Sequence, residues 1–293
     1  MKKFGIFMLL LILMGLTACN TNESADQENK KKEQEINEQQ QKDQAGQSEE
    51  EKEKEAPAKE DEGTGNPPED SAEKEEQDKT ENKKPQYEIS EVWSVQPIVE
   101  DANEKVVLLT FDDAPDEHAV EMAKTLKNMD APAIFFINGH FIDTEEEQAK
   151  LKEIADMGFA IGNHTFNHTK LDDVSKEKQK EEIVRLNDVI EEVTGERPKF
   201  FRAPHGVNTE YAKQVVKEEG MTLMNWSYGY DFKQEYMSEE AIADIMVNTE
   251  LLSNGANLLM HDRKWTAAAL EEIVTGLREK GYEMVDPQLI KTP

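Results

Sequence analysis

From Val106 onward, short apolar runs alternate with longer stretches in which apolar residues recur every three or four positions. The short runs predict strands at Val106–Thr110, Ala133–Ile137, Phe159–Ile161, Lys199–Arg202, Met221–Trp226, Asn257–Met260 and Tyr282–Val285. The longer stretches predict helices near 117–129, 145–157, 176–194, 209–219, 239–252 and 267–280. Within the third of these, Ile183, Leu186, Val189, Ile190 and Val193 form one apolar stripe. Thr144 and Glu147 have the spacing of a capping box, and Gly158, Gly195, Gly220 and Gly281 stand where helix C-caps belong.

Strands separated by helices of this length pair in parallel through right-handed crossovers. About seven such strands suit an α/β domain closed, or nearly closed, into a barrel; an open doubly wound sheet is the alternative. No Gly-x-Gly-x-x-Gly follows the first strand, which weakens a nucleotide-binding version.

The first 86 residues read differently. Lys2 and Lys3 precede an apolar run, Phe4–Leu16, too short to span a bilayer stably, which ends in Leu16-Thr17-Ala18-Cys19. This resembles a bacterial lipoprotein signal, with residues 1–18 removed and Cys19, the only cysteine, carrying the lipid. An ordinary secretory signal or a short membrane anchor are the other readings. Residues 20–86 lack any aromatic side chain and are dominated by Glu, Lys, Gln, Asp and Asn. So little apolar surface cannot offset chain entropy, so 19–86 is expected to be a lipidated Cys followed by a disordered acidic tether. Residues 87–293 carry every Trp, Tyr and His and form the expected folded domain.

The net charge is −29. The two N-terminal lysines contribute +2, and 11 Lys against 22 Asp plus Glu in residues 20–86 contribute −11, leaving −20 on the folded part. That surface repels phosphate backbones and excludes a nucleic-acid partner. A neutral or partly cationic glycan fits it better than an anionic polymer.

Candidate chemistry gathers where the predicted strands end. These exits read Thr110-Phe111-Asp112-Asp113, His164-Thr165-Phe166-Asn167-His168, Arg202-Ala203-Pro204-His205-Gly206, Tyr230-Asp231-Phe232 and Leu259-Met260-His261-Asp262. In barrels of alternating strands and helices, function sits at that end. His164 and His168 are four apart, so one helical turn would set both rings on one side, and a carboxylate from Asp112 or Asp113 completes a two-histidine, one-carboxylate face. Adjacent aspartates at a strand end point in different directions and can divide metal binding from proton abstraction. His261, on another strand, can oppose that base as an acid.

Together these motifs resemble the polysaccharide deacetylase family (the NodB homology domain, carbohydrate esterase family 4), over about residues 100–290. The resemblance implies a distorted (β/α) barrel that hydrolyses the N-acetyl group of N-acetylglucosamine-type sugars in a cell-envelope polysaccharide such as peptidoglycan. It implies Asp113, His164 and His168 as metal ligands, usually for zinc, with cobalt, nickel or iron also compatible. Asp112 is then the general base, held by Arg202, and His261 the general acid. Asp231 orients Arg202 or tunes His261. The backbone N–H of His205 helps hold the oxyanion, and Leu259 and Phe232 line the acetyl pocket. Three positions depart from the family pattern: Ala114 replaces a usual Gly, His205 a usual Tyr, and the Asp231 motif has one aspartate and a phenyl ring. An anchored glycan-binding protein with little turnover and an O-acetyl sugar esterase are the alternative functions. His118 and His140 are expected outside the site. Trp265 is expected either to stack on a sugar or to pack over the barrel mouth, and Asp262 to cap or buttress the loop beside His261.

Overall fold

The computed structural model describes residues 84–293; the expected signal, Cys19 and all but the last residues of the tether lie outside the described residues. A hairpin comes first, from the antiparallel pair β1 (Tyr87–Ile89) and β2 (Val95–Pro97). The main sheet is built from β3 (Val106–Ala114), β4 (Ala133–Ile137), β5 (Ala160–Asn163), β6 (Phe200–Phe201), β7 (Thr222–Leu223), β8 (Tyr228–Gly229), β9 (Ala256–His261) and β10 (Glu283–Met284). All its pairings are parallel, in the order β7-β6-β5-β4-β3-β9-β8, with β10 beside the start of β3. It is a curled half-barrel, with no pairing between β7 and β8 among the described residues.

The crossovers are α1 (Ala119–Asn128), α2 (Glu145–Asp156), α3 (Lys176–Thr194), α4 (Glu210–Glu218), α5 (Glu239–Asn248) and α6 (Lys264–Glu279). The Thr144–Glu147 capping box opens α2, and Gly195 closes α3 in the left-handed conformation. Gly158, Gly220 and Gly281 also have positive φ, as their places after helices required.

Strand alternation decides which side chains reach the site. On β3 and β4, Val107, Leu109, Phe111, Ala133, Phe135 and Ile137 face the helices and join the main core. Leu108, Ile134 and Phe136 face the other way, into a second cluster with Phe200 and Met224, to which Tyr87 and Val95 of the hairpin strands also belong. The register of β3 with β9 pairs Leu108 with Asn257, Thr110 with Leu259 and Asp112 with His261. Each rung lies two residues above the last, so all three point to the inner face. The lowest rung sets Leu108 of the second cluster beside the buried polar Asn257; the highest carries two titratable groups.

Several predicted bounds shift, and two of the shifts bear on the site. The predicted Met221–Trp226 strand is only Thr222–Leu223, and a separate strand at Tyr228–Gly229 follows it. The predicted Phe159–Ile161 strand runs instead to Asn163, placing His164 directly at its end. The apolar run at Met221 marks β7, whose two residues pair with the equally short β6, whereas β8 has no such run and is defined by its pairing with the longer β9.

Candidate active site

Asp112 and Asp113 end β3 where its register with β4 shifts between Phe111 and Ala114, and Asp113 takes a left-handed backbone (φ 59). This irregularity changes the expected geometry. The two carboxylates converge instead of pointing apart: Asp112 Oδ2 lies 3.5 Å and Asp113 Oδ1 3.9 Å from His164 Nε2. Ala114, in the position of the family's usual glycine, is fully buried in the main core, so its methyl packs there without facing the site.

His164 and His168 do not share a helical turn. They flank a loop that bends at Thr165 (φ 68) and His168 (φ 53), and Asn163 Oδ1 accepts the Thr165 N–H at 2.8 Å. This side-chain turn competes with helix formation. The rings still meet, with centroids 5.0 Å apart. His168 Nε2 stands 3.5 Å from Asp113 Oδ1, and one donor atom from each of Asp113, His164 and His168 falls within 4.8 Å of the others. His164 Nδ1 lies 2.7 Å from the carbonyl of Arg202, which as acceptor fixes the proton on Nδ1 and leaves Nε2 as a lone-pair donor.

Burial pushes the His164 imidazole down, against the opposing pull of both aspartates. Burial and the neighbouring His164 push His168 down to about 4. Asp113 is drawn below the usual carboxylate range: burial raises it, but His164, His261, His168 and Arg263 together outweigh that. Two neutral imidazoles and one ionised carboxylate are the protonation states that ligate a divalent ion, so these residues fit one.

Arg202 leaves β6 fully buried inside the curl. Its Nη1 donates to Asp112 Oδ1 at 2.7 Å and Thr110 Oγ1 at 2.8 Å, while Nη2 donates to the Asn225 carbonyl at 2.9 Å and Asn257 Oδ1 at 3.2 Å. The guanidinium also lies over the Phe136 ring, 4.4 Å from its centroid. A buried cation on this many acceptors is tolerable, and Asp112 is its charge partner.

Asp231 does not touch Arg202 by any bond of this network; it belongs to His261. The register of β8 with β9 explains why. Gly229 pairs with Leu259, so two residues on, Asp231 reaches the level of His261. Its Oδ1 lies 2.7 Å from the His261 Nδ1, and its Oδ2 accepts from the His261 backbone N–H at 2.6 Å and from Thr266 Oγ1 at 2.8 Å. Burial lowers the His261 pKa, but the Asp231 hydrogen bond and charge, with Asp112 and Asp113, raise it above the ordinary imidazole value.

Around these groups, Leu259 is nearly buried and Phe232 is 52 % exposed, its ring perpendicular to His261 with centroids 5.9 Å apart. His205 is exposed, with a left-handed backbone (φ 57) and its ring 5.0 Å from that of His168. Trp265 is partly buried against the main core and donates Nε1 to the Asp231 carbonyl, so it packs and braces. Asp262 caps the start of α1, accepting backbone N–H bonds from Asp116, His118 and Ala119. His118 sits at that helix start between Glu117 and Glu121, and His140 lies against the Phe166 carbonyl and the Phe141 ring; neither joins the Asp113 group.

Arg263 escaped the sequence reading. Its Nη2 donates to Asp113 Oδ2 at 2.7 Å and its Nη1 to the Asp262 carbonyl at 2.8 Å. Only its place two residues after His261 hinted at this, because the ion pair spans two strands.

A model of the polysaccharide deacetylase family matches residues 99–224. A peptidoglycan-N-acetylglucosamine deacetylase of Bacillus cereus is 31% identical over 189 residues, covering 62% of this chain and 86% of the relative. The chain belongs to the polysaccharide deacetylase family. An uncharacterized protein of Bacillus subtilis, YlxY, is 28% identical over 172 residues, or 58% of this chain; the match spans about half, 51%, of that relative. Among solved structures of this family, a mutant of a Bacillus anthracis pseudoenzyme, with restored enzymatic activity, superimposes with a TM-score of 0.57. It is 27% identical, over 62% of this chain and 65% of that one.

Proposed function

We propose that this polysaccharide deacetylase hydrolyses the N-acetyl group of N-acetylglucosamine-type residues in a cell-envelope polysaccharide, with peptidoglycan the first substrate. The observation that carries the reading is the top rung of the inner ladder. Asp112 and His261 are register partners on adjacent strands, and each is held by its own buried opposite charge, Arg202 and Asp231. One group is kept as a base and the other as an acid, as amide hydrolysis requires.

Asp113, His164 and His168 would hold a divalent ion, zinc in the first instance, which when bound supplies a Lewis acid for the acetamide carbonyl. Asp112 takes a proton from the attacking water, and its Arg202 bond fixes the carboxylate. His261, protonated on the strength of Asp231, gives its proton to the leaving nitrogen. The products are acetate and the free amine of the sugar. The His205 backbone N–H is assigned to the oxyanion. Leu259 and the exposed ring of Phe232 are assigned to the acetyl methyl and the rim around it.

The substrate choice is supported by the Bacillus cereus relative, a peptidoglycan-N-acetylglucosamine deacetylase, and by the lipoprotein-like amino terminus. With Cys19 lipidated, the enzyme is placed outside the cytoplasmic membrane, and residues 19–86 are its tether. The likeness to a pseudoenzyme favours a second reading, an anchored glycan-binding protein with little turnover. Acetate release from N-acetylglucosamine oligomers by wild type and by His261→Ala decides between them. Release lost in the variant supports the hydrolase; no release from a zinc-loaded wild type that retains glycan supports binding.

A further inference from the structure

The loop from His164 to His168 has no helical hydrogen bonds, and two of its residues are left-handed. Such conformations cost on the order of 1–3 kcal/mol each and persist only where surroundings over-determine them. Its two imidazoles are held unequally. His164 has its ring on the Arg202 carbonyl and its own carbonyl on Asn138 Nδ2 at 2.7 Å. For the His168 ring, no hydrogen bond from behind is seen among the described residues; its neighbours are Asp113, His164 and His205.

What fixes the His168 end lies one residue back and points away from the site. Glu182, on the second turn of α3, is fully buried. Both of its carboxylate oxygens are used on Asn167: Oε2 accepts the backbone N–H at 2.7 Å and Oε1 accepts the side-chain Nδ2 at 2.6 Å. The carbonyl of Glu182 accepts the Phe166 N–H at 3.0 Å. Among the described residues, only Lys178 Nζ, at 3.2 Å, forms an ion pair with it. A buried carboxylate is costly unless its bonds are well made, and an apolar residue would serve helix packing better. The carboxylate at this place is explained by the loop it grips.

We propose that Glu182 is a positioning residue for the metal centre, setting the place of His168 through its paired bonds to Asn167. The inference rests on the proposed metal-ligand role of Asp113, His164 and His168. Glu182→Gln swaps one acceptor for a donor facing a donor, which loosens the loop at Asn167 and so weakens metal binding. Asn167 is exposed, so Asn167→Ala loses only the side-chain half of the clamp with little risk to folding.

The test is a titration of the metal-free full chain with Co2+, followed by its visible absorption, and then displacement by Zn2+, alongside thermal unfolding of each metal-free variant. The expected result is one site in the wild type, a dissociation constant about 10- to 100-fold weaker in Glu182→Gln, and a smaller loss in Asn167→Ala. The Co2+ spectrum should change in both, and Asn167→Ala should unfold near the wild-type temperature. A purely structural carboxylate would lower the unfolding temperature and leave the affinity and spectrum of folded protein unchanged, which overturns the proposal. If Glu182→Gln does not fold, Asn167→Ala decides alone. A wild type that takes up neither metal overturns the metal reading itself, and the clamp's role with it.

Discussion

Asp231 grips His261 twice, with Oδ1 at 2.7 Å from the ring Nδ1 and Oδ2 at 2.6 Å from the residue's own backbone N–H. The paired contact fixes both the strand end and the ring, and leaves Nε2 as the proton-carrying edge. It also raises the proton affinity of the ring, since burial lowers the imidazole pKa and the Asp231 hydrogen bond and charge, with Asp112 and Asp113, more than offset that. In Asp231→Asn, the His261 pKa should fall, and the alkaline limb of the deacetylation pH profile should move toward acid. Turnover at pH 8 should drop on the order of a hundredfold, the lower end of what a general acid supplies. An alkaline limb that stays in place would remove Asp231 from this role.

Arg202 should matter for stability as well as turnover. Replacing it with Ala leaves Asp112 buried beside Thr110 without its cation, and breaking a buried pair costs about 3–5 kcal/mol. Urea unfolding of Arg202→Ala should show a loss of that order, with deacetylation nearly abolished. Stability within about 1 kcal/mol of wild type would mean that water reaches the site and screens Asp112.

Acid stability of the metal-free protein should follow His168. Its folded pKa lies near 4, whereas the unfolded chain protonates near the ordinary imidazole value of 6.5. Between these, the unfolded state binds more protons, so stability declines as the pH falls from about 6.5 toward 4. His261 is raised, so its contribution is present below 6.5 and lost at higher pH, outside that window. The unfolding temperature of His168→Gln should therefore fall less steeply between pH 6.5 and 4 than that of wild type. Parallel curves would refute the assignment.

Much of this architecture was legible from periodicity. Ala133–Ile137 and the helix 176–194 coincide with β4 and α3, because long, strongly patterned segments are decided locally. The β1–β2 hairpin and β8 were not, because their few residues are strands only through partners far along the chain. The site residues were legible as types at strand exits, and the resemblance also implied the Arg202–Asp112 pair and the Asp113, His164 and His168 group, but the partner of Asp231 stayed open between Arg202 and His261. Asp231 goes to His261 and not Arg202 because of the register of β8 with β9, which no spacing reveals. The His164–His168 loop was misread as helical because four-residue spacing says nothing about the Asn163 turn inside it. Glu182 was not singled out from sequence: its i,i+4 spacing from Lys178 is common on exposed helix faces, yet the glutamate points inward.

The measurement that bears most directly on the account is acetate release from N-acetylglucosamine oligomers and purified peptidoglycan. The purified protein would be assayed with zinc, after chelator treatment, and as His261→Ala with zinc bound. The account predicts release by the zinc-loaded wild type, loss on chelation with recovery on adding zinc back, and a fall of about 10²- to 10⁴-fold in His261→Ala. Release that persists without metal or without His261 would contradict it.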